Sequence, residues 1–89
     1  MRAVITVIGK DMMGIMAGVS NICVEYHVNI IEVTQSIMQD MFAMIMMVDI
    51  SGCEAPFAVL RDALTKFGEE NALSVHIMHE DIFNSMHRI

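Results

Sequence analysis

Basic side chains are scarce in this sequence. Among its 89 residues, five are lysine or arginine and eleven are aspartate or glutamate, so the formal net charge is −6. A protein that binds nucleic acid or an anionic membrane surface needs clustered cations that replace the phosphate counterions. The cations of this chain are instead scattered: Arg2, Lys10, Arg61, Lys66 and Arg88. We therefore expect no direct nucleic-acid partner and no membrane partner.

Cysteine pairs and long apolar runs are also missing. Cys23 and Cys53 form neither a CxxC motif nor a disulfide framework, which favours reduced thiols in a cytoplasmic protein. The apolar run 3–8 is too short for a signal peptide and is soon followed by charged residues. The longest apolar run, 41–48, falls far short of the ~20 residues that a membrane-spanning helix needs.

Groups that commonly carry catalysis or bind metal do not assemble from the spacing. No nucleophile stands in a pattern with a base and an orienting group, and Cys23 falls on the apolar stripe of a predicted helix. His76 and His79 are three apart on a predicted strand, so they point to opposite faces. His87 with His79, Glu80 or Asp81 makes no more than a chance metal site. We expect no enzyme, no metal and no cofactor.

Apolar residues, by contrast, are abundant. They make up 55% of the chain, above the usual share of about 45–50%. A chain this short has much surface to cover and few charged side chains with which to cover it. Part of the apolar surface should therefore lie against another chain. We predict a homodimer or a higher homo-oligomer.

The hydrophobic periodicity predicts the order βαββαβ. Segments 2–8 and 41–50 are apolar on both faces, as central strands are, whereas 30–38 and 72–79 interleave polar residues, as edge strands do. Apolar stripes at helical spacing follow the first and third strands. The predicted elements are strand 2–8, helix 13–27, strand 30–38, strand 41–50, helix 56–68, strand 72–79 and a short terminal helix 81–89.

This order predicts an α+β ferredoxin-like sandwich, with an antiparallel sheet of order 4-1-3-2 and two helices on one face. We expect a single domain over 1–89, with a core of 1–80 and a helical extension of 81–89. A doubly wound parallel fold is excluded because a short turn at Gln39 and Asp40 cannot join parallel strands. The helices cover one face only, so the other must meet solvent, the terminal helix or another chain. We favour another chain, with help from the terminal helix.

The loop after the first strand nearly matches a phosphate-binding loop. In VIGKDMMGIMAGVS, Gly9 and Gly14 stand at the right distance, but a P-loop continues with lysine and serine or threonine. Ile15 and Met16 occupy those positions, which argues against nucleotide binding. Two interpretations remain open: a tight entry into the helix, or backbone N–H groups that hold a carboxylate.

The same loop carries further expectations. Asp11 is a plausible N-cap of the helix. Met12 and Met13 lie where they need not pack a core, so they are able to wall a small pocket. Gly18 inside the helix indicates close packing. Because it lies one turn after Gly14 on the same side, a ligand or a partner backbone also has room to approach there.

Taken together, these residues resemble an ACT domain, and in particular the stand-alone single-ACT proteins of bacteria, including the glycine-cleavage repressor type. The resemblance rests on D-x-x-G-I at 11–15 with the apolar helix after it, V-N-I at 28–30, and MFAMIMMVDI at 41–50. It implies a dimer that binds an amino acid or similar small molecule. It also implies that the pocket lies between the first loop of one subunit and the start of the second strand of another.

By position, Asp11 and Gly14 match the loop residues of that motif, and Asn29 matches the asparagine before the second strand. Met13 stands where many members have proline, so we expect a less rigid loop. The candidate ligand-binding residues are Asp11, Met12, Met13, Gly14, Ile15, Asn29 and Ile30. The resemblance implies a non-catalytic regulatory domain. The alternative is a ligand-free module that docks an enzyme or a transcriptional regulator.

Overall fold

The computed structural model describes residues 1–86, and its elements follow the predicted order. The strands are β1 (Arg2–Lys10), β2 (Asn29–Met38), β3 (Met41–Asp49) and β4 (Leu73–His79); the helices are α1 (Ile15–Glu25), α2 (Phe57–Glu70) and α3 (Glu80–Met86). The strands form one antiparallel sheet in the order β2-β3-β1-β4. The predicted ferredoxin-like topology is therefore confirmed. Within residues 1–86, no helix is long and apolar enough to cross a lipid bilayer.

The core lies between the sheet and the two longer helices. Ile5 of β1 pairs with Met46 on one side and Ile77 on the other, so these three side chains share the face that the helices cover. The buried residues of α1 recur every four positions, at Ile15, Val19 and Cys23. In α2, the buried leucines are Leu60 and Leu64. Helical and strand periodicities thus direct their apolar sides to one layer.

Two glycines let the helices approach their neighbours closely. A Cβ on Gly18 would overlap the ring of Phe67 from α2, which confirms that this glycine serves packing. The ring therefore occupies the space beside Gly18, and the expectation that a ligand approaches there is wrong. A Cβ on Gly68 would lie 2.6 Å from the carbonyl oxygen of Leu73, so α2 and the start of β4 are almost in backbone contact.

Several predicted turn and cap residues are wrong, because tertiary packing overrides local preference. Asp11 is not the N-cap of α1; Gly14 is, and no side chain caps this helix end. Gly68 does not end α2, which continues to Glu70, and Ala72 takes the left-handed conformation at φ 56° instead. The turn after α1 likewise uses His27 at φ 58°, and α1 itself spans fewer residues than the predicted 13–27.

The other face of the sheet carries the alternate residues of the central strands, among them Thr6, Ala43 and Ile45. The short helix α3 packs against β1 and β4. An ion pair between Arg2 and Glu80 ties its first residue to β1. Half-buried Phe83 lines a cavity on this face, whereas nothing in α3 is fully buried. His87 and Ile89, which belong to the predicted 81–89 helix, lie outside the described residues. That another chain covers this face stays a prediction.

Candidate functional site

The β1–α1 loop bends sharply at Gly14. Its φ of 88° lies in the left-handed region, which costs an L side chain roughly 1–2 kcal/mol. A Cβ built at this position would meet no atom within 4 Å. Gly14 therefore serves backbone conformation rather than close packing, and the space in front of it is open.

Backbone N–H groups face that open space at the start of α1. The first hydrogen bond of the helix runs from the Gly18 N–H to the Gly14 carbonyl, at 2.9 Å. The N–H groups of the residues between them therefore have no partner within the helix. The first turn of α1 also contains no acidic residue. A ligand carboxylate would find unpaired donors and the positive end of a helix dipole here.

Asp11 lies exposed at the mouth of this loop. Its backbone N–H donates a hydrogen bond of 2.7 Å to the carbonyl of Asp40, in the turn between β2 and β3. That bond ties the loop to the neighbouring turn. Asp40 was missed from the sequence, because a backbone contact between segments so far apart leaves no local signal. Within residues 1–86, no hydrogen bond or ion pair engages the Asp11 carboxylate.

The apolar candidates of the loop fall into two groups. Met13 is 96% exposed and Met12 is 40% exposed, so neither packs in the core, as expected. The Ile15 side chain, by contrast, is 2% exposed and belongs to the core cluster. Only its backbone N–H is able to face a ligand at the loop.

The second half of the candidate site lies far away in the same chain. Asn29, exposed at the start of β2, pairs with Asp49, and Asp49 pairs with Arg2 at the first end of β1. The loop leaves from the opposite end of β1, a strand of nine residues that is roughly 30 Å long at strand rise. Ile30 follows Asn29 and packs against the core. One chain thus brings Asp11 to Gly14 together and leaves Asn29 at the other end of the sheet.

Outside the loop, the side chains that could carry chemistry are Cys23 and two histidines of β4, His76 and His79. Burial raises the pKa of the Cys23 thiol from 9.0 to about 11, so it carries no thiolate at neutral pH. His79 is half-buried, and its ring stacks on Phe57 with 4.7 Å between centroids. His76 is exposed on the opposite face. Across the described 1–86, no three His, Cys, Asp or Glu side chains lie close enough to hold a metal ion.

Comparison with known proteins agrees with this architecture. The family model described as ACT domain matches residues 2–78. A UPF0237 protein of Methanocaldococcus jannaschii is 50% identical over 88 residues, which are 99% of this chain and 98% of the relative. The solved structure of an ACT domain protein from Streptococcus pneumoniae superposes with a TM-score of 0.80 at 36% identity, covering 93% of each chain.

A second solved structure, a putative glycine cleavage system transcriptional repressor, has a TM-score of 0.73 at 22% identity. The match covers 86% of this chain and 44% of that protein, so it supports the shared fold alone. The family match over nearly the whole chain, together with the relative of equal length, decides the assignment. This chain belongs to the ACT domain family, whose members are regulatory domains that bind small molecules.

Proposed function

We propose that this protein is a non-catalytic sensor that binds an amino acid at the boundary between two copies of the chain. One copy supplies the β1–α1 loop with Asp11 and Gly14, and the other supplies Asn29. The observation that carries the proposal is the separation of these groups. They lie at opposite ends of the sheet in one chain, so a site that uses both needs a second chain.

The edge strand β2 offers a way to bring them together. It spans ten residues, contains no proline, and has one charged residue, Glu32. Ile37 and Met38 near its end are 57% and 61% exposed. A long edge strand of this kind presents unpaired N–H and C=O groups that template pairing with another chain.

Antiparallel pairing of two β2 strands about a two-fold axis would place the start of one beside the end of the other. The end of β2 is Met38, which pairs with Met41, and Met41 pairs with Lys10 just before the loop. Asn29 of the second copy would then lie about three strand spacings, or ~15 Å, from Lys10 of the first. That distance is half the separation within one chain, and the loop extends from Lys10 into the gap.

The chemistry of an α-amino acid suits these groups. Its carboxylate would accept hydrogen bonds from the free N–H groups at the start of α1. Its ammonium would pair with the Asp11 carboxylate, and the Asn29 amide would complete the hydrogen bonding of the ammonium or the side chain. Met12 and Met13 would cover the apolar part of the ligand.

A thermal-shift screen of the twenty amino acids tests the proposal. At a hundred times its dissociation constant, a ligand that binds only the folded state stabilises by about 2.7 kcal/mol. For a domain of this size, that corresponds to a melting temperature higher by roughly 10–20 °C. No shift with any amino acid at millimolar concentration would contradict ligand binding. It would favour the alternative, a ligand-free docking module.

Mixing two variants tests whether the site spans two chains. Asp11→Ala and Asn29→Ala each remove an exposed side chain, so each should fold normally and each should lose the shift. In a mixed dimer, the loop of the Asn29→Ala chain meets the Asn29 of the Asp11→Ala chain, and one intact site returns. With random pairing, half of the dimers are mixed, so about a quarter of the sites recover.

The control for this experiment is Asn84→Ala, which removes an exposed asparagine from α3 and should keep the full shift. If both variants lose binding and mixing restores none of it, although the copies do exchange, the site does not span two chains.

A further inference from the structure

The face of the sheet opposite α1 and α2 is only partly covered. Where α3 packs on β1 and β4, Val4 is 0% exposed. Beyond α3 the same face is open, and Ile8 and Ile45 are 50% and 45% exposed on neighbouring strands. We call this surface, together with the outer side of α3, the open face. Its exposed large apolar residues are Ile8, Met38, Met41, Ile45, Ile82 and Met86.

The open face contains a cavity as well as exposed side chains. A cavity of about 270 Å³ lies beside Phe83, and Ile8, Ile45 and Met78 form part of its lining. Thr6 supplies the one polar side chain in that lining. Next to the cavity, α3 projects Ile82 and Met86, which are 51% and 66% exposed. A concave apolar site and an apolar ridge therefore lie side by side on one surface.

We propose that a second copy of this chain packs on the open face, in a two-fold contact separate from the β2 edge. In a two-fold contact, both copies use the same surface. That surface must therefore carry both the apolar ridge and the cavity that receives the ridge of the partner. The open face carries both. With pairing through β2, this contact would join two dimers into a tetramer.

The charge of the open face favours a copy of itself over a charged partner. Between Lys10 at one end and Arg2 with Asp49 at the other, the central strands β1 and β3 carry no charge on this face. The acidic residues lie around that centre, with Glu32 on the edge strand β2 and Glu80 and Asp81 in the first turn of α3. An isologous contact between two copies of a highly acidic chain needs such a neutral centre, because like charges would otherwise oppose each other.

The size of the face also fits. Four strands about 4.8 Å apart and seven to ten residues long give a face of roughly 20 by 28 Å, or about 550 Å² in projection. Two such faces exceed the ~1,000 Å² in total that a specific interface needs. The contact would remove the exposed apolar residues of this face from water, which the few charged side chains of the chain cannot do.

Analytical ultracentrifugation over a range of protein concentrations tests the inference. The unmodified protein should form a species of four chains. Ile45→Glu places a charge at the centre of the open face, twice per contact, and should weaken that contact at least 100-fold, leaving two chains. Ile82→Glu should act likewise, and because it lies on the outer side of α3, it tests the contact without altering the sheet.

The matched control is Val59→Glu on the outer side of α2, where Val59 is 44% exposed against 45% for Ile45. It should keep the mass of the unmodified protein. Circular dichroism and melting must show that all variants are folded. A chain that never exceeds two copies and keeps its mass in Ile45→Glu and Ile82→Glu overturns the inference, as does a Val59→Glu variant that dissociates equally. This test does not depend on amino-acid binding, although the species of four chains rests on the proposed pairing through β2. A protein of two chains that Ile45→Glu and Ile82→Glu reduce to one would support the open-face contact and contradict the β2 pairing.

Discussion

The contact between Gly68 of α2 and the start of β4 leads to a quantitative prediction. A Cβ at this position would lie 2.6 Å from the backbone oxygen of Leu73 and 3.0 Å from the Cγ2 of Val75. Separations below 3.0 Å are essentially absent for real Cβ atoms. Since Leu73 belongs to β4, its carbonyl moves only if the strand moves. Gly68→Ala must therefore push α2 and β4 apart by several tenths of an ångström.

Two opposing effects set the size of the change. Alanine gains about 1 kcal/mol over glycine within a helix. Overpacking of a tight site costs about 1–3 kcal/mol, and a rigid backbone neighbour places this case at the upper end. The free energy of unfolding should fall by roughly 1–2 kcal/mol, which lowers the melting temperature by about 5–15 °C for a domain of this size.

Gly18→Ala is the matched control, because its Cβ also meets a close neighbour. That neighbour is the far end of the half-buried Phe67 side chain, which is able to shift without any movement of the backbone. The helical gain and the repacking should nearly cancel, within about 1 kcal/mol. Urea unfolding followed by circular dichroism measures both variants. If Gly68→Ala is as stable as the unmodified protein, or Gly18→Ala loses more, the close approach of α2 to β4 does not explain the glycine.

Three further predictions concern ionisable side chains. Burial raises the pKa of Cys23 from 9.0 to about 11, so the thiol of the unfolded chain ionises at a lower pH than the thiol of the folded chain. The free energy of unfolding should therefore decrease as the pH rises through this interval. Cys23→Ala should remove that decrease. Iodoacetamide at pH 8 should therefore modify Cys53 before Cys23, and equal rates in the folded protein would contradict the burial. Hydrogen bonds from Ser51, and then the N-terminal ammonium, hold the pKa of Asp49 below 3.8. The lowered pKa stabilises the fold above the unfolded pKa of the carboxyl, and this stabilisation is lost as the pH falls through the folded pKa. Ser51→Ala removes the side-chain hydrogen bond, so an NMR titration of this variant should show a higher Asp49 pKa.

The element order and the sheet order could be predicted because they follow from periodicity. Strands 41–50 and 2–8 are apolar on both faces, and a strand with two apolar faces belongs in the centre of a sheet. The stripes on α1 and α2 assign the helices to one layer. These patterns are spread over many residues, so an error at a single cap or turn residue does not change the predicted order of helices and strands.

The single-residue expectations fared worse, for a physical reason. A glycine marks the end of a helix only where no closer contact competes for it. Gly68 is needed where β4 passes α2, so the left-handed turn beside it uses Ala72 at some conformational cost. Asp11 lies three positions before the N-cap Gly14, and its N–H donates to the carbonyl of Asp40, a contact with a distant turn that the local sequence does not reveal.

By itself, the sequence determined the fold, the buried faces and the loop on which the family motif lies, since each of these depends on local order along the chain. The distance between the two halves of that motif depended on the tertiary structure. Asp11 and Asn29 are eighteen positions apart in the chain, yet the crossover through α1 sends them to opposite ends of a sheet about 30 Å long. Only the folded chain decides such separations, because strand pairing sets them and spacing along the sequence does not.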